Sequence, residues 1–408
     1  MIGGGIAGLT AALKLAGQGV AVELTEKSPF LGGYGITYSC KATDECAACG
    51  ACTVEQTLAK VLEAPAVTIH PRAALVSVKK NKDAFTAKVK IAPEIIDPEK
   101  CTGCGACYEK LKGTGAVLRA FSPLAGPLFA ADAEVLKKAP ALKDPLAASC
   151  PEGAIRTDAA EKTQTIKADA VIVATGFAPF NACRKPTYNY KVIPNVITGM
   201  DLENSLRENG RLLRPSDGRP VRKAAFIQCV GSRDFRLENP WCSQVCCAYA
   251  LRSAMAAKHK DSELHVTVFY MDIQTVGKKF PEFYEKCRGA LRFVRSIPTD
   301  IYPLEEGRAR IVYADPETGK LAEDDYDLVA LSVGITPPAE NKDMAGLLEV
   351  GLSADGFFAS GNGPARTIST REGVFLAGTA EGPRSILDSA AHAGAAAADV
   401  LRHIRALS

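Results

Sequence analysis

The chain has one tryptophan, five histidines and a net charge of only +3 over 408 residues. A single Trp and the absence of any dense Lys/Arg run leave no stacking platform and no basic stripe, so nucleic acid is not an expected partner. No window of about 20 residues is both apolar and free of charge, so no membrane span is expected. The histidines at 70, 259, 265, 392 and 403 are scattered. None pairs with an obvious nucleophile, which leaves hydrolysis and acyl transfer without a candidate constellation. No positively charged segment precedes the apolar opening MIGGGIAGLT, so a secretory signal is not expected.

Cysteine is present in excess, with 14 residues, most of them in tight clusters. In a short secreted chain such clusters imply disulfides; in a long chain that opens with a nucleotide motif they imply metal. Cys-x-x-Cys runs in threes rarely meet the Cα separation and direction a disulfide needs. Solvated cluster thiolates and no export signal point to the cytoplasm.

Gly3-Gly4-Gly5-Ile6-Ala7-Gly8 is a G-x-G-x-x-G motif that opens an Ala/Leu-rich helix over Leu9 to Gln18. The first glycine permits the tight turn, the second admits a pyrophosphate to backbone N–H groups, and the third packs helix on strand. The phosphates then meet a helix N-terminus, which favours anions. The β-run from Val20 to Leu24 ends at Glu26, placed for ribose hydroxyls, with Lys27 and Gly33 completing the expected contacts. Two later apolar strands end in Ala174-Thr175-Gly176 and Ala377-Gly378-Thr379, the second followed by a helix from about Ser385 to Arg402. In order, these resemble the FAD motifs of two-dinucleotide-domain flavoproteins of the thioredoxin-reductase-like class. FAD is therefore the expected cofactor. Such flavoproteins usually carry Gly-Asp where Gly378-Thr379 stands, so either Thr379 substitutes at the ribityl chain or Asp388 reaches in. Only Met1 and Ile2 precede Gly3, so the start is expected to be truncated or mis-assigned, or the sheet to lack much of its central strand.

Cys101-x-x-Cys104-x-x-Cys107 is a ferredoxin triplet whose spacing lets three thiolates wrap one cubane, and Cys150-Pro151 supplies the fourth ligand in the usual setting before proline. Zinc is the rival, but it favours paired Cys-x-x-Cys. Cys46-x-x-Cys49-x-x-Cys52 repeats the triplet, with Cys40 as the nearest fourth thiol. The distant ligands Cys40 and Cys150 can stay local or exchange between the two sites. The third group is Cys229, at the end of an apolar strand, with Cys242, Cys246 and Cys247. Cys242 is expected to open a helix running to about Lys258, so that Cys242 and Cys246 share one face. Three quartets imply three [4Fe–4S] clusters and leave Cys183 and Cys287 as packed thiols or spare ligands.

The segments Phe226-Ile227-Gln228-Cys229-Val230-Gly231-Ser232-Arg233-Asp234 and Asn239-Pro240-Trp241-Cys242-Ser243-Gln244-Val245-Cys246-Cys247 resemble the signature of the A subunits of heterodisulfide reductases. The likeness extends to Pro194–Thr198, Arg214–Gly218, Leu331–Gly334 and Ala377–Pro383. It implies a thioredoxin-reductase-like core binding FAD, with a cluster in the second dinucleotide domain in place of NAD(P). Partners implied are heterodisulfide reductase B/C-like or ferredoxin-like redox subunits, or a hydrogenase, dehydrogenase or quinone-linked module, with a homodimer inside a larger complex. Any membrane association runs through those partners, and flavin-based bifurcation is an expectation of the family. The first quartet departs from the pattern of methanogenic members. Arg252 stands where those members place a lysine near the flavin, and a guanidinium differs from an ammonium in shape and hydrogen-bonding fork.

The expected fold is α/β: two Rossmann-like dinucleotide-binding domains with an α+β ferredoxin-like insertion. The FAD domain covers 1–93, 158–200 and 328–408, the insertion 94–157, and the cluster-bearing second domain 201–327. The expected function is that of an oxidoreductase component joining two-electron flavin chemistry to one-electron cluster chains. The alternatives are a self-contained NAD(P)H-dependent flavin reductase, disfavoured by the missing second glycine motif, and a non-catalytic iron–sulfur scaffold.

Overall fold

Two residues suffice to start the first sheet. The computed structural model describes residues 1–407 except 83, 123–125, 275–276 and 362–365. In it Ile2 bridges in parallel to both Thr25 and Val173. Its N–H donates to the Ile172 carbonyl at 2.9 Å, and its own carbonyl accepts from Ala174 at 2.8 Å. Gly3 N–H donates to Thr25 at 2.8 Å on the other side. The sheet therefore runs Val67–His70, Val22–Thr25, the Ile2 bridge, Val171–Val173 and Val374–Leu376, all parallel. At its centre the sheet has this one bridging residue in place of a full strand, held by backbone bonds alone, because a bridge needs only the N–H and C=O of one residue on each edge.

The helices Ile6–Ala16 and Ile386–Leu407 pack on this sheet. Their buried faces are rich in alanine, with Ala7, Ala11 and Ala12 on one and Ala393, Ala396 and Ala397 on the other. Small side chains let the two backbones approach closely. Leu9 and Leu24 are fully buried in the same core, each contributing about 1.5–3 kcal/mol of apolar burial.

The second sheet is five-stranded and parallel, in the order Val196–Thr198, Leu328–Val333, Lys223–Val230, His265–Phe269 and Arg292–Val294. It draws strands from both sides of the expected 201–327 segment. Alternation along its strands makes two cores. Phe226 and Ala330 face the helices Gly199–Asn209 and Cys246–Lys260, whereas Ile227, Val329 and Leu331 face Tyr188, Tyr313 and Tyr326. The pairing shifts register between Ile227 and Val230, where Cys229 takes a φ of 59°.

The insertion hangs from an antiparallel pair, Ala84–Ile91 with Lys162–Ala168, whose last rung joins Ile91 to Lys162. Beyond it, Ile96 bridges Ile155, Asp97 N–H donates to Ala154 at 2.8 Å, and Arg156 N–H donates to Ile95 at 2.7 Å. Within the insertion, Val117–Ser122 pairs with Gly126–Ala131 over Leu111, Leu136 and Leu146. Among the described residues no helix is long and apolar enough to cross a membrane.

Candidate redox centre

The glycine loop is shaped by contacts that no side chain fits. Gly3 has a φ of 104°, and a Cβ there would lie 2.3 Å from the Ala174 carbonyl oxygen; at Gly8 it would lie 1.9 Å from that of Gly3. Gly5 precedes the helix with no side-chain cap, so first-turn N–H groups face the loop and favour an anion. The Glu26 carboxylate lies against the loop, accepting from Gly4 N–H at 2.6 Å and Ser28 N–H at 2.7 Å. Burial pushes its pKa up, and those backbone donors oppose the shift. Gly33 packs on Gly5 across the Gly5–Gly32 bridge. Lys27 points outward, in an exposed ion pair with Glu340 at 2.8 Å.

Across the sheet, Thr175 has a buried hydroxyl without a protein partner, and Gly176 follows it with a φ of 79°. Gly378 sits where a Cβ would be 2.6 Å from that of Ala7, so the third motif closes on the first helix. Thr379 is buried in the same turn. Asp388 is exposed and accepts from Ser385 Oγ at 2.6 Å while its N–H donates back at 3.1 Å. Ser385 thus caps the last helix, with the Asp388 side chain as its partner.

The sequence reading missed His392. Its Nδ1 accepts the Gly378 N–H at 3.1 Å, and Arg384 donates to the Gly378 carbonyl at 3.0 Å. Burial first, then Arg384, holds the imidazole below its ordinary pKa and so neutral. The available signal was the spacing of Ser389 and His392, three apart on one helix face.

Cys101, Cys104, Cys107 and Cys150 line one pocket with Ile96 and Phe129. Cys150 thus lies with the nearby triplet, and Ala154 N–H donates to its Sγ at 3.3 Å. Burial pushes the Cys107 thiol up.

Cys229, Cys242, Cys246 and Cys247 line a second pocket with Arg233 and Asp272. The helix begins at Cys246, not at Cys242 as expected. Cys242 lies on the preceding loop, where Gln244 takes a φ of 60° and donates its N–H to Cys242 Sγ at 3.3 Å. The loop thus supplies the approach that shared helical spacing was expected to give. Burial pushes Cys229 up to about 11 and raises Cys246 and Cys247 too. Without metal these thiols are neutral, and loading a cluster must release their protons. Among the described residues no three metal-binding side chains are grouped as for one ion.

The first quartet is different. Cys40, Cys46 and Cys52 are exposed and Cys49 half-buried. They occupy one loop and the first turn of the helix Ala51–Leu62, with Ala48 N–H donating to Cys46 Sγ at 3.4 Å. Arg252, expected near the flavin, packs 6.0 Å from the Phe280 ring and 5.9 Å from Phe283. Its electrostatic neighbours are Cys49, Cys287 and Cys46. Cys183 is exposed, and Cys287 is fully buried.

Comparison with known proteins agrees with this geometry. Residues 1–55 match the NAD(P)-binding Rossmann-like domain family and residues 94–110 the 4Fe-4S binding domain family. The chain is 33% identical over 98% of its length to the A subunit of the H(2):CoB-CoM heterodisulfide,ferredoxin reductase of Methanothermobacter marburgensis, covering 62% of that protein. It is 34% identical to an iron-sulfur A subunit of the CoB--CoM heterodisulfide reductase of Methanopyrus kandleri, covering 63% of it. The chain thus spans less than two thirds of the length of these relatives. Among solved structures, T. acidophilum thioredoxin reductase superimposes with a TM-score of 0.55 at 14% identity, covering 100% of this chain and 97% of that one. Lactococcus lactis thioredoxin reductase gives 0.55 at 13%, covering 99% and 97%. The fold is that of thioredoxin reductases.

Proposed function

We propose that this chain, related along nearly its whole length to the A subunits of heterodisulfide reductases, is an FAD and iron–sulfur electron-transfer component of a larger oxidoreductase. The carrying observation is the third quartet. Its four thiols line one cavity at the carboxyl end of the central strand Lys223–Val230, the edge at which parallel sheets of this kind hold ligands. Cys229-Val230-Gly231 occupies the place of a nicotinamide-binding glycine loop.

FAD is assigned to Gly3–Gly8, Glu26, Thr175, Gly176, Gly378 and Thr379, and three [4Fe–4S] clusters to the three quartets. Flavin, when bound, exchanges electrons in pairs or singly, and a cubane cluster passes them singly. The protein's part is placement. The glycine loop and its helix N-terminus hold the pyrophosphate, and Gly378 closes that loop from the far side. The Cys229 bulge aims one thiol at the three supplied by the next loop and helix. The exposed first quartet and the insertion give electrons two surfaces for exchange with partner redox subunits of the heterodisulfide reductase B/C or ferredoxin class.

Stopped-flow mixing of the anaerobically reconstituted protein with NADH or NADPH tests the reading. The expected result is no rapid bleaching of the flavin by either nucleotide. Rapid bleaching would restore the self-contained NAD(P)H reductase.

A further inference from the structure

Lys41 and Glu203 form an ion pair in which each side chain is only 3% exposed. Such burial strips both charges of water and is tolerated only when every remaining lone pair and proton finds a partner. Here they do. Glu203 accepts from the Ser39 N–H and the Ser39 hydroxyl, each at 3.0 Å, and Lys41 donates to the Ser39 carbonyl at 2.8 Å. Ser39 and Lys41 are the two neighbours of Cys40. A carboxylate from the second domain therefore grips the chain on both sides of one thiol of the first quartet.

The grip belongs to one helix face. Gly199, Glu203 and Arg207 recur every four residues on Gly199–Asn209 and share a side. Arg207 donates to the carbonyls of Ile36 and Tyr38 and pairs with Glu55, on the helix that carries Cys52. At the other end, the Tyr249 hydroxyl packs so closely on Gly199 that a Cβ there would lie 2.2 Å from it. Tyr249 is one turn from Cys246 on its helix. One helix face thus touches the flank of the first quartet and the helix of the third.

We propose that Glu203 is a positioning residue: it fixes Cys40, and with it the first quartet, against the domain that carries the third, and it cancels the Lys41 charge beside Cys40. The proposal rests on the functional reading above, since it takes the first quartet to hold a cluster.

The test is EPR-monitored redox titration of anaerobically reconstituted full-length protein, with the first-quartet signal identified by its loss in Cys49→Ser. Glu203→Gln leaves the Lys41 ammonium uncompensated. A positive charge favours the reduced, more negative cluster, so the first-quartet midpoint should rise and its line shape change. The other two signals and bound FAD should persist. Lys41→Met/Glu203→Gln strands no charge, so its midpoint should return toward wild type while the altered line shape remains. A role confined to folding would not produce that reversal. If Glu203→Gln does not fold, the double variant alone decides, an altered line shape supporting the proposal and a wild-type one overturning it. A Glu203→Gln protein with wild-type midpoint and line shape overturns the proposal and leaves the functional reading standing. Wild-type protein with no first-quartet cluster overturns the proposal and removes one cluster from the functional reading, which stands on the third quartet.

Discussion

Ser243 Oγ accepts the backbone N–H of Ile335 at 2.8 Å and so ties the loop carrying Cys242 to the chain just beyond the second sheet. The same hydroxyl meets Ser232 Oγ at 2.5 Å, on the turn after Cys229. One small side chain thus pins both non-helical ligands of the third quartet. Ser243→Ala leaves a buried N–H without a partner, a cost of about 1–3 kcal/mol. The expected outcome is a lower melting temperature and faster loss of third-quartet iron to a chelator, followed by EPR. Unchanged iron retention would mean that the loop holds its shape without Ser243.

Cys246→Ser removes a thiol from the buried wall of the same cavity. One EPR-active cluster should disappear and FAD should stay bound, because the flavin's assigned contacts lie on the other parallel sheet. Electron transfer to partner subunits should fall with it. A variant that keeps every cluster signal and full transfer would reduce Cys246 to a packed thiol.

Reconstituted wild-type protein should hold about twelve iron atoms per FAD, since each of three quartets is assigned a four-iron cubane. Iron and sulfide assays with extracted flavin measure this. A count near eight, again taking four iron per cubane, removes one quartet, with the exposed first quartet the leading candidate.

His392 gives the flavin site a pH dependence. Its pKa lies below the ordinary 6.5 because burial and Arg384 disfavour the charged ring. Between the folded and unfolded values the unfolded chain binds more protons, so stability rises with pH there. The contribution is present above about pH 6.5 and is lost as pH falls toward the depressed folded value. Protonation also removes the acceptor for Gly378 N–H. FAD should therefore dissociate more readily as pH falls through the depressed folded value, and His392→Gln, which keeps an acceptor but does not titrate, should flatten that dependence. Flavin fluorescence across the pH range reads both.

What the sequence made legible was local and periodic. The glycine loop and the apolar strands ending in Thr175-Gly176 and Gly378-Thr379 could be read from spacing, and their resemblance to flavoprotein motifs implied the thioredoxin-reductase-like fold. What escaped depended on partners distant in the chain. Cys242 was assigned to a helix because i, i+4 spacing fits one, but a positive φ at Gln244 and a hydroxyl bonded to Ile335 make that stretch a loop. Asp388 offered a candidate for the ribityl chain, and the sequence did not show that its side chain also pairs with the helix cap Ser385. Met1–Gly3 is too short to register as a strand, and only its neighbours at Thr25 and Val173 make it one. Nothing local to Lys41 or Glu203 in the sequence reveals that each is buried against the other.

The rung between Ile91 and Lys162 has an architectural consequence. The chain leaves and re-enters the antiparallel pair at facing positions, so everything between behaves as a plug-in module on a finished hairpin. A short turn joining those two residues would restore an ordinary β-hairpin, the commonest way to connect such strands. The parallel sheets on either side take no strand from the excised stretch. A redox wire can therefore be lengthened or shortened at this socket without redesigning the flavoprotein that carries it.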